Sequence, residues 1–317
     1  MPTPVVISLG SINMDVQVRT DRWPESGETM LADEFLMTGG GKAANVAVLA
    51  RRLGAEIMLI GHVGDDSLAD DTLRGLNGAD VDLQHVSHVE NTPTAVSIIV
   101  VRPGGEKTII LAPNANLAWD EERDPDAVAG AIDAAPDGSV LVVDLEIPLP
   151  VVRRAMWAAR NRSFQVVLDP SPADRVSDDL YEFVDVLTPN TAEAGQLTGI
   201  DVDSDDAAER AGRALVNRGV AAVCQKLGGG GCVVAAPDAT HRIHPVPVDV
   251  VDQTGAGDAF AGGMGVALAE GLPIAEAARF AVACSHLAVT AYGSQQSYPS
   301  RDALDEMIER LANHNSD

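Results

Sequence analysis

Between Asp252 and Phe260 the chain reads Asp-Gln-Thr-Gly-Ala-Gly-Asp-Ala-Phe, a set of residue types suited to holding an anion beside a base. The glycines leave the backbone N–H groups of residues 255–258 free to approach a ligand closely. The stretch follows an apolar, β-branched run (Val246, Val248, Val250, Val251) that predicts a strand, and it opens an Ala/Gly-rich run that predicts a buried helix. A glycine turn at a helix N-terminus is an anion site, because unpaired N–H groups and the helix dipole both point at it. Asp258 is the anomaly, since a carboxylate repels the anion that the turn attracts. A general base beside a phosphoryl group in transit would account for it. An aspartate capping the helix is the alternative.

Other polar residues fall at strand ends. Asn13 and Asp15 follow the opening strand Val5–Leu9 and lie two apart, so at strand spacing they face the same way. Turn chemistry is the alternative there. Gly39-Gly40-Gly41-Lys42-Ala43-Ala44-Asn45 is a second glycine turn that runs into apolar residues at helical spacing. It is not a P-loop, because Ala43 stands where Ser or Thr would bind magnesium; backbone approach to a polyhydroxyl ligand fits better. Asn190 and Glu193 share a helical face at spacing i, i+3. An amide and a carboxylate there suit hydrated magnesium, or else a capping box. His62 has no local partner and reads as structural. A base, an anion turn, a magnesium-type pair and a polar cluster at one sheet edge are what phosphoryl transfer to a hydroxyl needs.

The elements that must position these groups alternate. After residue 124, strands near 139–143, 165–168, 184–187, 221–226 and 231–236 interleave with helices near 148–160, 191–198, 205–218, 255–270, 274–291 and 301–312. That rhythm predicts a mostly parallel sheet with helices on both faces, in one α/β domain spanning 1–317. Residues 16–37 and 94–111 break it with hairpin patterns, which predicts a small separate sheet, or lid, from segments 12–37 and 93–112.

The totals narrow the function classes. Of 317 residues, 46% are apolar but only 3% aromatic, so aliphatic side chains fill the core. Net charge is −25, and Lys42, Lys107 and Lys226 are the only lysines. Such a surface excludes nucleic acid and anionic membrane as partners. It suits either a high-salt cytoplasm or an ordinary acidic enzyme. Cys224, Cys232 and Cys284 sit among apolar residues without a CxxC and read as reduced core residues of a cytosolic protein. The opening Met1-Pro2-Thr3-Pro4-Val5 has no signal-peptide pattern, and no apolar run is long enough to predict a membrane span. A nicotinamide-binding turn is excluded, because Phe260 stands where a third glycine or alanine is expected.

These residues, in this order, resemble the ribokinase (PfkB-type) carbohydrate kinase family across essentially the whole chain. The resemblance rests on Gly10 to Asp15, Gly40 to Asn45, Thr188 to Glu193 and Asp252 to Asp258. It implies a ribokinase-like fold with a β-lid that also forms a homodimer contact. It implies ATP- and magnesium-dependent phosphorylation of a sugar's primary hydroxyl, with ribose to ribose 5-phosphate the expected reaction and another sugar, a nucleoside or a non-catalytic binder the alternatives. Asp258 would be the base, and Gly255, Ala256 and Gly257 the anion hole. Asn13, Asp15, Gly41, Lys42, Asn45 and Glu146 would bind sugar. Asn190 and Glu193 would serve magnesium and phosphate. Lys226, Gly228 and Gly231 would run along the ATP phosphates, and Val282 would line the adenine pocket. Asp252, Thr254, Ala288, Ala291, Gly293 and Ser297 would hold a monovalent cation, chiefly potassium. The sequence departs from the family pattern at Gln253, Ala43, Val46 and Lys226, which leaves the reaction intact and the sugar open.

Overall fold

The computed structural model describes residues 3–314. Met1 and Pro2, which open the stretch read for a targeting signal, lie outside it. Thirteen strands are numbered in chain order: β1 (Val5–Leu9), β2 (Asn13–Arg19), β3 (Glu34–Gly40), β4 (Glu56–Gly64), β5 (Val86–Val89), β6 (Ala95–Val101), β7 (Lys107–Ala112), β8 (Val140–Val143), β9 (Gln165–Leu168), β10 (Val186–Leu187), β11 (Ala222–Lys226), β12 (Cys232–Ala235) and β13 (Thr240–Ile243). The helices are α1 (Lys42–Arg52), α2 (Ser67–Gly78), α3 (Asp124–Ala134), α4 (Leu149–Asn161), α5 (Thr191–Thr198), α6 (Asp205–Val216), α7 (Ala256–Ala269), α8 (Ile274–Ala288) and α9 (Arg301–His314).

Nine strands form the main sheet in the order β13-β12-β11-β10-β9-β8-β1-β4-β5. From β5 to β11 every pair is parallel, and β12 and β13 add antiparallel at one edge. The central strands are apolar along their whole length (Val140–Val143 is buried at every position), as a sheet covered on both faces requires. One core layer holds α1, α7 and α8; the other holds α3 and α4.

The second sheet has the order β3-β2-β6-β7, with β2 and β6 parallel and the outer pairs antiparallel. Alternation along its strands separates two faces. Asn13, Asp15 and Gln17 on β2, with Ser97 on β6 and Lys107 on β7, face the main body. The register puts Val16 opposite Met37 and Ile98, and Ile98 opposite Ile110, on the other face. That outer face stays wet: Ile98 is 48% exposed and Ile110 65%.

One element differs from expectation. The valine run 246–251 is not a strand; the chain's last strand is Thr240–Ile243, and the valines follow it as irregular chain along the cleft. Pro245 and Pro247 explain this, because neither has the N–H that a sheet ladder needs.

The two glycine turns are brought together by small residues. Helix α7 carries Gly262, Gly263 and Gly265 on buried faces. A Cβ at Gly263 would lie 2.8 Å from the Cys284 Sγ and 3.2 Å from the Ala281 Cα of α8. Gly263→Val is therefore expected to destabilise the fold by roughly 1–3 kcal/mol, the usual cost of overpacking; thermal and urea denaturation measure it.

Candidate active site

A cleft of about 780 Å³ lies between the small sheet and the ends of the main-sheet strands. Its size is that of a pocket for small molecules. Two glycine-capped helix N-termini open into it. Gly41 caps α1 at φ 92°, and Gly255 caps α7 at φ 77°. Both glycines are required by space as well as by angle. A Cβ at Gly41 would meet the Ser11 carbonyl oxygen at 2.6 Å and the Asn13 nitrogen at 2.7 Å. One at Gly255 would meet the Ser294 Cβ and the Tyr298 hydroxyl, each at 2.7 Å.

Because Gly255 is the cap, Asp258 is not. It sits in the first turn of α7, makes no capping bond there, and accepts a 2.7 Å hydrogen bond from Asn45 Nδ2 of α1. The carboxylate is thus aimed across the cleft by the other glycine-capped helix.

The end of the cleft under the small sheet is polar and tightly bonded. Asn13 Oδ1 accepts from Asn116 Nδ2 at 2.7 Å, and Asn13 Nδ2 donates to Ser97 Oγ at 3.1 Å. Asn116 Oδ1 in turn accepts the Ile12 N–H. Asn116 orients Asn13, a role that sequence spacing did not reveal, since the two are brought together only by the fold. Lys42 pairs with Glu146 at 3.2 Å, and the second oxygen of Glu146 is buried without a partner. Burial works against the Lys42 charge. Glu146, Asp258, Asp169 and Asp144 outweigh it and hold the ammonium well above its ordinary range.

Three carboxylates pay for this crowding in proton affinity. Burial is the main cause in each. It pushes Asp15 up to about 7, with the Ser97 hydrogen bond opposing and the Asp258 charge adding. Asp144 rises to about 8, with Glu146 adding, while it accepts the Ser11 and Glu146 N–H groups. Asp169 rises to about 6 against the pull of Lys226, 3.6 Å away.

Toward the other end, Asn190 and Glu193 form a reciprocal capping box on α5. Asn190 Oδ1 accepts the Glu193 N–H at 2.9 Å, and Glu193 Oε2 accepts the Asn190 N–H at 2.8 Å. Both residues also line the cleft, so the capping and ligand-facing roles coexist. Lys226, Leu227 and Gly228 to Gly230 line it too, and a Cβ at Gly257 would be 3.6 Å from the Lys226 ammonium. Gly231 does not line the cleft; it packs under the Ile243 carbonyl and Pro245. Val282 does not line it either. It is fully buried in the core, one turn before His286 of the same helix, and the cleft is lined there by Ser285, His286 and Val289. Pro245, Val246, Pro247 and Val248 complete this apolar end.

The predicted cation loop is built around Asp252, which is fully buried. Its Oδ1 accepts the Thr254 N–H at 2.8 Å, and its Oδ2 accepts from Gly293 N–H at 3.0 Å and Gln17 Nε2 at 2.7 Å. The Thr254 and Ser294 hydroxyls are buried without partners, whereas Ser297 Oγ donates to the Ser294 carbonyl. Ala288 is buried and Ala291 exposed. His62 stacks on Trp119 at 3.8 Å with Nδ1 3.3 Å from the Ala118 carbonyl, a packing role remote from these groups.

Fold and site together define a class: a carbohydrate kinase with the ribokinase fold. The model of the pfkB family of carbohydrate kinases matches residues 4–301, and the chain belongs to that family. Ribokinase of Haemophilus influenzae is 34% identical over 303 residues, covering 95% of this chain and 97% of that protein. Deoxyribokinase of Salmonella typhi is 31% identical over 301 residues, covering 95% and 97% respectively. Among solved structures, Arabidopsis thaliana ribokinase complexed with ribose and ATP superposes with a TM-score of 0.86 at 30% identity, covering 98% of this chain and 99% of that one.

The raised Asp15 has a consequence for stability. Its native form binds a proton more tightly than the unfolded chain, so its contribution falls as pH rises from about 4 to about 7. Asp15→Asn removes that penalty. The variant's melting temperature is expected to match wild type below pH 4, to exceed it increasingly up to pH 7, and to hold a constant advantage above. Thermal melts across this range, without ligands, check it.

Proposed function

We propose that this protein transfers the γ-phosphoryl group of ATP to the primary hydroxyl of a small sugar, with ribose the substrate and ribose 5-phosphate the product. The observation that carries the reading is Asp258. It stands in the first turn behind an open glycine turn, and Asn45 from the opposite helix fixes its direction. A pure binder has no use for a carboxylate at an anion site.

In the proposed step Asp258 takes the hydroxyl proton as the sugar oxygen bonds to the γ-phosphorus. The bond from that phosphorus to the bridging oxygen breaks, and ADP leaves. The N–H groups of Gly255, Ala256 and Gly257 face the charge that develops on the transferring group. Asn13, Asp15, Gly41, Lys42, Asn45 and Glu146 hold the sugar, and the small sheet acts as a lid over it. Lys226 and Gly228 follow the ATP phosphates, and the apolar end at Pro245 to Val248, His286 and Val289 seats the adenine.

Magnesium fits this arrangement only as a hydrated ion. Among the described residues no three His, Cys, Asp or Glu side chains cluster to cage a metal. Asn190 and Glu193 would hold it through water and phosphate, where it neutralises phosphate charge. A potassium ion fits the Asp252 loop, whose buried carboxylate and unpartnered Thr254 and Ser294 hydroxyls are hard oxygen donors; bound there, it would stiffen the anion turn. Two copies pair through the apolar outer face of the lid in a cytoplasmic homodimer.

An ADP-release assay over ribose, deoxyribose, fructose, ketodeoxygluconate and nucleosides, with and without potassium, tests the reading. Deoxyribose belongs in it because a deoxyribokinase is among the relatives. Ribose is expected to give the highest kcat/KM, and no ADP release with any of these acceptors would leave only the binder. Asp258→Asn is expected to lower kcat by roughly 10²–10⁴-fold with sugar affinity retained, the range for a positioned base. For the dimer, Ile98→Lys on the lid's outer face is expected to shift light-scattering mass from two chains to one.

A further inference from the structure

All three lysines of this chain line the cleft, although they are only three of its 22 lysine and arginine residues and the chain is strongly acidic. Two of them are already neutralised. Lys42 has Glu146 at 3.2 Å and Lys226 has Asp169 at 3.6 Å. Lys107 differs: among the described residues no carboxylate lies within 4 Å of its ammonium, and its recorded partner is the carbonyl of Gln253 at 3.3 Å. Gln253 is two residues before the cap of the anion turn.

The backbone holds Lys107 in this place. It is the first residue of β7, paired with Val101, and it shares the cleft-lining face with Ile109 and Leu111. The hairpin tip before it rests on the chain leading to the turn, where a Cβ at Gly105 would be 3.3 Å from the Gln253 nitrogen. An ammonium has three donors, and one carbonyl uses one of them. Burial lowers its proton affinity, Asp258 raises it and Lys42 lowers it again, with Asp252 and Asp15 adding weaker support. A half-buried cation with donors to spare gains from an anion that arrives with the ligand.

We propose that Lys107 is a further catalytic residue, a lid-borne cation that contacts the phosphoryl group in transit opposite the Gly255–Gly257 N–H groups. The proposal rests on the kinase reading above and assigns to the lid a part in chemistry as well as in cover. With Lys42 bound to Glu146 on the sugar side and Lys226 to Asp169 on the nucleotide side, Lys107 is the cleft lysine left to meet charge that appears between them.

The test pairs kinetics with binding. Lys107→Met is expected to lower kcat by roughly 10²-fold, the lower end for loss of one preorganised donor, while the sugar KM changes less than about threefold and the melting temperature holds. Lys107→Arg is expected to recover most of the loss. In calorimetry with magnesium and sugar present, wild type should bind ADP with fluoroaluminate, a mimic of the transferring phosphoryl, more tightly than ADP alone. Lys107→Met should lose that gain and keep the affinity for ADP. The proposal is overturned if Lys107→Met retains kcat, if the loss falls on the sugar KM or on ADP binding, or if arginine does not rescue. Because the fluoroaluminate measurement needs no turnover, it separates failure of this role from failure of the kinase reading.

Discussion

An anion has to be drawn into a cleft that already holds Asp15, Glu146, Asp169, Glu193 and Asp258, in a protein of net charge −25. Everything else about the site follows from how that repulsion is offset. Fixed dipoles do much of it, because the N–H groups of a helix N-terminus carry positive potential without a counter-ion and without a titratable proton. Two such termini, at Gly41 and Gly255, open into the same space. The lysines supply the rest, each placed where a carboxylate or an arriving ligand can use it. Burial is the main cause that raises the proton affinities of Asp15, Asp144 and Asp169, and the charge of a neighbouring carboxylate adds to it in each.

Dipoles act only at short range, so the two termini must meet at a fixed distance. Small residues set it. A Cβ at Gly262 of α7 would lie 3.1 Å from Leu49 and 3.4 Å from the Val46 Cα of α1. The helices therefore pack with almost no side chain between them, and Asn45 can reach Asp258 directly. The Ala/Gly richness of α7 belongs to the same arrangement as the Gly255 turn: a bulkier helix would carry Asp258 away from Asn45.

Much of this was legible in the sequence because the relevant signals are local. The βα rhythm, the hairpin segments and the glycine turns are properties of short windows, and the α/β architecture with its small second sheet follows them. What escaped needed three dimensions or a negative. Asn116 lies 103 residues from the side chain it orients, and Gln17 lies 235 from Asp252. The 246–251 run had the composition of a strand, but the missing N–H groups of Pro245 and Pro247 outweighed its β-branched valines. Val282 lies close in sequence to residues at the apolar end of the cleft, yet its side chain leaves α8 toward the core and His286, a turn later, faces the cleft. A one-dimensional motif locates a helix at a site; it does not say which of its faces turns inward.

The small sheet is tied to the loop before the Gly255 turn as well as placed beside the cleft. Three of its side chains reach the segment that leads into the anion turn: Gln17 to the Asp252 carboxylate at 2.7 Å, Arg19 to the Val251 carbonyl at 3.1 Å and Lys107 to the Gln253 carbonyl at 3.3 Å. Two consecutive strand positions on one face, and one on the far strand, thus bracket three successive residues of the loop. The same β2 face carries Asn13 and Asp15 at the polar end of the cleft. A displacement of this sheet would disturb the polar end of the cleft and the loop behind the glycine turn together, because both hang from the alternating side chains of one seven-residue strand. The polar end of the cleft and the loop behind the Gly255 turn are mechanically one unit in this fold, joined by the period-two geometry of β2.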